Sequence, residues 1–161
     1  MNIDLIPTLI DQYRETFEGE VTKGMCWITA GTPDSALLGT LDALTPRQAF
    51  LPPSVDGRSI AAHVEHLRFT LALTLRRLHD ENPTVDWSTS FNVAEQTPES
   101  WATLKRELRA AYDAVLAFYQ ERRLAPVEDW RPIHVAGLSA MIAHNAYHLG
   151  AIRQIAKVVQ K

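Results

Sequence analysis

The chain has 161 residues, a mass of 18.1 kDa, a formal charge of -3 and a pI near 6.0. Its charges are mixed, without a basic block, which argues against nucleic acid or an anionic membrane as the main partner. Cys26 is the only cysteine, so no internal disulfide can form and the chain suits a reducing cytosol. We therefore expect one cytoplasmic domain, residues 1–161, without a signal peptide or membrane span.

Apolar residues at three- and four-residue spacing predict a first helix from Leu5 to Glu18. Asp4 is available as its N-cap and Gly19 as its stop. The helical pattern places Glu15 on the polar face of this helix. The glycine-containing stretch that follows looks like a connecting loop, pinned by the aromatic side chain of Trp27.

The rest of the chain also has helical periodicity. Proline after a capping threonine opens a second helix at Thr32-Pro33, whereas Thr45-Pro46-Arg47-Gln48 predicts at most a short turn. Further helices are predicted from Ser59 to about His79, from Thr97-Pro98 until before Pro126, and from Val135 to Val159. No strand pattern is convincing. We predict an all-α fold of four long helices and a shorter one, most simply an antiparallel bundle.

A loop of more than a dozen residues, 83–96, separates two of the long helices and contains Trp87, Phe91 and Val93. Loops of this length often have a functional or lid role. The alternative is a loop that packs its aromatic side chains over one end of the bundle. The sequence leaves both interpretations open.

The last helix contains His144 and His148, four residues apart. On an α-helix, side chains at this spacing lie on one face, so both imidazoles can reach one point. Two histidines fill at most half of a tetrahedral metal site, and a third ligand must come from elsewhere. His63 and His66 both fall on the inward half of the earlier helix, and periodicity cannot separate them.

Three histidines from two facing helices can converge in a bundle and leave coordination positions open, as in a catalytic metal site. The competing interpretation is that these are core histidines, hydrogen-bonded to backbone or hydroxyl groups. For His79 and His134, at a helix end and in a loop, we expect surface positions.

Several other chemistries lack the residues that they need. Asn145 stands where the helix of zinc proteases carries the glutamate that acts as general base. The chain has no Glu-x-x-His pair, glycine-rich phosphate loop, CxxC motif or complete nucleophile elbow. Arg153, one turn beyond His148, can meet an anionic substrate group or form a solvated salt bridge.

Two motifs carry a resemblance to a known family. Residues 59–67 read SIAAHVEHL, and much later the chain reads His144-x-x-x-His148-x-Gly150. Over nearly its whole length the chain resembles the DinB-like superfamily of metalloenzymes, which includes the YfiT-like proteins. The resemblance implies that His66, His144 and His148 bind a divalent metal, commonly zinc or nickel, and it selects His66 over His63. It also implies an up-down-down-up four-helix bundle, often found as a homodimer.

Characterised relatives in this family transfer low-molecular-weight thiols such as bacillithiol, or isomerise maleylpyruvate with mycothiol. The resemblance thus implies a small-molecule substrate, a thiol cosubstrate, and a metal-bound water or thiolate as the reactive species. This chain departs from the common pattern at three positions. Arg58 stands where many members carry tryptophan, Ala62 replaces a capping-box glutamate, and Ala151 replaces a frequent glutamine.

We therefore expect a metal-dependent enzyme with an open three-histidine site, namely a thiol-dependent S-transferase or a related transferase or isomerase. The alternative is a non-catalytic, stress-linked binding or dimerisation module whose metal is structural or absent. Further candidates for contacts beside the metal or the substrate are His63, Asn145, Tyr147 and Arg153.

Overall fold

The computed structural model describes residues 5–19, 21, 26–93 and 95–161, and all regular structure in these ranges is helical. This confirms the all-α class. Short 3-10 turns occupy Pro33–Ser35, Trp87–Thr89 and Val127–Asp129. The α-helices of the described ranges are α1 (Ile6–Glu18), α2 (Leu37–Asp42), α3 (Pro46–Phe50), α4 (Ile60–Leu78), α5 (Pro98–Arg122) and α6 (Pro132–Val159).

Side-chain caps fix where three of the helices begin. The Ser59 hydroxyl accepts from the Ala62 N–H at 3.3 Å and starts α4, as the sequence predicted. Capping boxes at Thr45 and Thr97 start α3 and α5. The predicted cap of α1, Asp4, lies outside the described residues. The local sequence therefore determines the start of the helix that carries His63 and His66.

The four long helices enclose the core. α4 packs against α5 and α6, and α1 packs against α6 and α5. Leu67 and Leu71 of α4, Leu108 of α5 and Ile152 of α6 are fully buried between them. Each such side chain contributes about 1.5–3 kcal/mol through burial, so the apolar stripes hold α4 and α6 side by side. The up-down-down-up order of a four-helix bundle stays a prediction, as does the single domain.

Three stacked aromatic rings join α1 to α5. The ring centroids of Phe17 and Tyr112 are 4.3 Å apart, and those of Tyr13 and Tyr112 are 5.4 Å apart. All three side chains are fully buried, and the Tyr112 hydroxyl donates to Glu18 Oε1 at 2.7 Å. This cluster fixes α1 against the bundle.

Glu15 corrects two predictions about the first helix and the loop after it. Its carboxylate is buried and accepts the backbone N–H groups of Trp27, Ile28 and Thr29 at 2.7–3.1 Å. Burial by itself would raise the pKa of Glu15, but these hydrogen bonds outweigh it and lower the pKa. Trp27 is 73% exposed, so the loop is held by a carboxylate rather than by an aromatic ring.

The surface position predicted for His134 is wrong. α6 begins at Pro132, three residues before the predicted start, and His134 lies fully buried in its first turn. The imidazole Nδ1 accepts from the Arg131 backbone N–H at 3.1 Å, and the His134 carbonyl accepts from the Tyr119 hydroxyl at 2.9 Å. His79 is exposed, as predicted.

None of the helices in the described ranges has the length and apolarity that a membrane span requires. The cytoplasmic location stays a prediction.

Candidate metal centre

Two neighbouring helices bring three histidines together. His66 projects from α4, and His144 and His148 project from α6. One ring nitrogen from each lies within 4.8 Å of the others. Within the described ranges this group contains only imidazoles, without a carboxylate or thiolate. Three neutral nitrogen donors are a ligand set that suits zinc or nickel and leaves at least one coordination position open.

The distance between two of these nitrogens fits a shared cation. His66 Nε2 lies 3.2 Å from His144 Nε2. Two nitrogens bound at about 2.0–2.1 Å to one tetrahedral zinc ion are about 3.3 Å apart. The two rings are therefore already spaced as metal ligands, with little movement required for binding.

The hydroxyl of Ser90 determines which nitrogen of His66 is available. It donates its only hydrogen to the Trp87 carbonyl at 2.9 Å. The same oxygen lies 3.1 Å from His66 Nδ1 and must accept a hydrogen from it. This arrangement places the proton on Nδ1 and leaves the lone pair on Nε2, the atom that faces His144.

Phe91, in the long loop between α4 and α5, holds the plane of the His66 ring. The two rings are nearly parallel, at 5°, with centroids 4.0 Å apart. The Arg58 guanidinium lies 3.6 Å from the Phe91 centroid. The sequence allowed either a functional or a packing role for this loop. In the structure the loop lies directly against the histidines.

His63 lies beside the group and contacts His148. Their Nδ1 atoms are 2.9 Å apart, so one ring donates to the other. If His148 donates, its Nε2 keeps a lone pair, and His63 must remain neutral to accept. Burial and the nearby Arg58 lower the pKa of His63, which favours that neutral form.

The three grouped histidines are held neutral by their surroundings. Burial, together with the neighbouring His144 and Arg58, lowers the pKa of His66 to about 4. Burial and the nearby His144 and His63 lower the pKa of His148 to about 3. Burial also lowers the pKa of His144. Neutral imidazole is the form that binds metals, so all three side chains have the charge state that a metal site requires.

Asn145 is fully buried next to His144. Neither its amide nitrogen nor its amide oxygen has a hydrogen-bond partner among the described residues, and the same is true of His144 Nδ1. The Asn145 amide lies close enough to oppose the pKa shift of His144, although the two groups miss hydrogen-bonding geometry. Unsatisfied buried polar atoms of this kind are uncommon and often mark functional sites.

The other two predicted neighbours lie further out. Tyr147 is 72% exposed, and its ring meets the His148 ring edge-on with centroids 5.1 Å apart. Arg153 is half-buried and forms neither a hydrogen bond nor a salt bridge with a described residue. Within the described ranges, Arg153 therefore does not form the salt bridge that was considered for it.

Three clefts lie away from the histidines. The first, of about 330 Å³, is lined mainly by the start of α5. The second, of about 450 Å³, is lined mainly by residues around α3. The third, of about 190 Å³, is lined by the middle of α4 and the chain after it. Neither the three grouped histidines nor His63, which together we call the four clustered histidines, line any of these clefts. The chemistry of the ligand set, rather than the size of a cleft, identifies the candidate site.

Together, the fold and the site define a helical protein with a histidine cluster suited to a divalent metal. The family model described as the DinB superfamily matches residues 34–152, and the chain belongs to this superfamily. The matched range contains all four clustered histidines. No curated protein and no solved structure matches the chain.

Sequence reasoning did not find Ser90. A single serine in a long loop gives no periodic signal, and its contact with His66 joins residues 24 positions apart. Phe91 lies in the predicted loop, but the sequence does not predict its contact with His66. The only indication in the sequence was the unusual length of the loop.

Proposed function

We propose that this protein is a metal-dependent enzyme that uses a low-molecular-weight thiol, as a thiol-dependent transferase or a related isomerase. The observation that supports it best is the 3.2 Å separation of His66 Nε2 and His144 Nε2 within a group of three neutral histidines. Membership of the DinB superfamily supports the same conclusion. Zinc or nickel suits the donor set.

In this proposal His66, His144 and His148 hold the metal through three ring nitrogens. A bound divalent metal stabilises the thiolate form of a thiol and so supplies a nucleophile at neutral pH. Ser90 orients the His66 ring, while the stacked ring of Phe91 shields that side of the site from water. Tyr147 stands at the exposed side of His148, where a substrate would approach.

The second candidate is a non-catalytic binding or dimerisation module with a structural metal. It is favoured by the burial of the candidate ligands, because His66 and His148 are only 9% and 3% exposed. A chelation experiment distinguishes the two. A structural metal contributes strongly to folding, so its removal lowers the melting temperature by many degrees, whereas removal from an open site changes it little.

The metal assignment is tested by elemental analysis of the purified protein and of H66A, H144A and H148A. We expect about one metal ion per chain in the wild type and loss of most of it in each variant. H79A is the matched control, because His79 is an exposed histidine at the other end of α4. Retention of metal by all three variants would refute the ligand assignment.

The reaction is tested with the metal-loaded protein. Thiol consumption is measured for bacillithiol, mycothiol, glutathione and coenzyme A against a panel of small electrophiles. Metal-dependent turnover with one thiol supports the transferase. Full metal loading without turnover supports the binding module. The small-molecule substrate and the homodimer stay predictions, and the latter is checked by light scattering in solution.

A further inference from the structure

Arg58 is an exposed cation at the edge of the histidine cluster, immediately before the N-cap of α4. Arginine side chains on protein surfaces commonly pair with a carboxylate. Among the described residues, Arg58 has no carboxylate within salt-bridge distance and no hydrogen-bond partner. Its five N–H donors are therefore available to a ligand.

The guanidinium is held in place although no anion binds it. It lies 3.6 Å from the centroid of the Phe91 ring, a cation–π contact that restrains the side chain. Because His66 stacks on one face of Phe91 at 4.0 Å, the guanidinium takes the other face. Arg58 and the candidate ligand His66 are thus separated by the thickness of one aromatic ring.

The positive charge of Arg58 lies close to three of the four clustered histidines. The Phe91 ring that it covers has its centroid 6.0 Å from the His63 ring, 4.0 Å from the His66 ring and 6.3 Å from the His148 ring. A positive charge at this place attracts an anion to the same region. Near a divalent metal, this second positive centre favours a ligand that carries a negative group some atoms away from its metal-binding atom.

We propose that Arg58 forms an anion subsite, and that the substrate or thiol cosubstrate carries a carboxylate, phosphate or sulfonate group that reaches across the edge of Phe91 to this guanidinium. The inference rests on the proposed function, because it takes the three histidines as the metal site. Arginine binds such oxyanions with two parallel hydrogen bonds, so the subsite selects by shape as well as charge.

The test uses cobalt(II)-loaded protein, in which thiolate binding produces a charge-transfer absorption band. Dissociation constants are measured for thiols of matched length with and without a carboxylate: mercaptopropionate with mercaptopropanol, and mercaptohexanoate with mercaptohexanol. The variants are R58Q, R77Q and R153Q. R153Q is included because Arg153 is the other arginine considered for an anionic substrate group. Arg77 is the matched control, since it is an exposed arginine near the other end of α4 that forms no salt bridge with a described residue.

We expect the wild type and R77Q to bind at least one carboxylate thiol about threefold to tenfold more tightly than its alcohol partner. R58Q is expected to lose this preference while keeping the wild-type affinity for the alcohols, which shows that its metal site is intact. An unchanged preference in R58Q overturns the subsite, as does its loss in R153Q instead. In both cases the metal and thiol proposals stand. A wild type that binds no cobalt, or no thiol, overturns the proposed function and this inference with it.

Discussion

Replacing Ser90 by alanine tests how the metal site is organised. In the wild type the Ser90 hydroxyl donates to Trp87 and accepts from His66 Nδ1, which leaves Nε2 unprotonated. S90A removes the hydroxyl, so that only the backbone of Ser90 still favours a proton on Nδ1, and the proton can move to Nε2 more readily. Ser90 is only 2% exposed, so no bulk water replaces the lost hydroxyl. We expect metal affinity to fall while the fold is retained.

The size of the loss follows from two contributions. If the two tautomers of a neutral imidazole become similar in energy, about half of the molecules carry the wrong one, which costs about a factor of two in affinity. Loss of a hydrogen bond that orients a metal-binding histidine commonly costs about 10–100-fold in total. Phe91 still fixes the ring plane at 4.0 Å, so we expect about tenfold, or about 1.4 kcal/mol.

The assay is a competition titration of zinc against a chromophoric chelator, with S88A as the control. Ser88 lies in the same loop but is exposed and bonds to Asp86, away from the histidines. S88A should bind zinc as the wild type does. If S90A also matches the wild type, Ser90 does not set the tautomer of His66, and the reasoning is refuted.

Three further predictions concern stability, measured by urea unfolding. E15Q should lower the free energy of unfolding by about 2 kcal/mol at pH 7, because a charged acceptor of three N–H groups is lost. Since folding lowers the pKa of Glu15, its contribution is complete above about pH 4.5 and disappears as the pH falls through the folded-state pKa. F17A should cost about 3–5 kcal/mol, because Phe17 is fully buried. G39A should cost about 1–3 kcal/mol, because the added Cβ would clash with the Pro33 carbonyl oxygen, whereas G150A should stabilise α6 by about 0.5–1 kcal/mol.

Each of these has an outcome that contradicts it. An E15Q deficit that stays the same between pH 7 and pH 3 would show that the carboxylate charge is irrelevant. V55A serves as the control for F17A, because Val55 is 99% exposed and its truncation should have almost no effect. Equal effects of G39A and G150A would contradict the close contact assigned to Gly39.

The sequence itself determined where α3, α4 and α5 begin. The helix predicted to open at Thr32-Pro33 is wrong at its start: Pro33–Ser35 is a 3-10 turn, and α2 begins only at Leu37 because Ala36 is extended. Apolar spacing and the caps at Thr45, Ser59 and Thr97 depend on residues a few positions apart, and the structure confirms them. The same short-range geometry placed His144 and His148 on one face of α6. α6 begins at Pro132, three residues before the predicted start, because proline is well tolerated at the first helical position.

Contacts between distant parts of the chain were decided only by the tertiary structure. The helical pattern of α1 could assign Glu15 to a polar face, but could not show that residues 27–29 would fold over it and bury the carboxylate. Likewise, periodicity left His63 and His66 equivalent. Packing of α4 against α6 placed His66 in the group of three and brought His63 to His148 Nδ1. Phe91 reached His66 from a loop without regular spacing. A periodic pattern records which face of a helix is buried, whereas the partner on that face depends on how the helices pack.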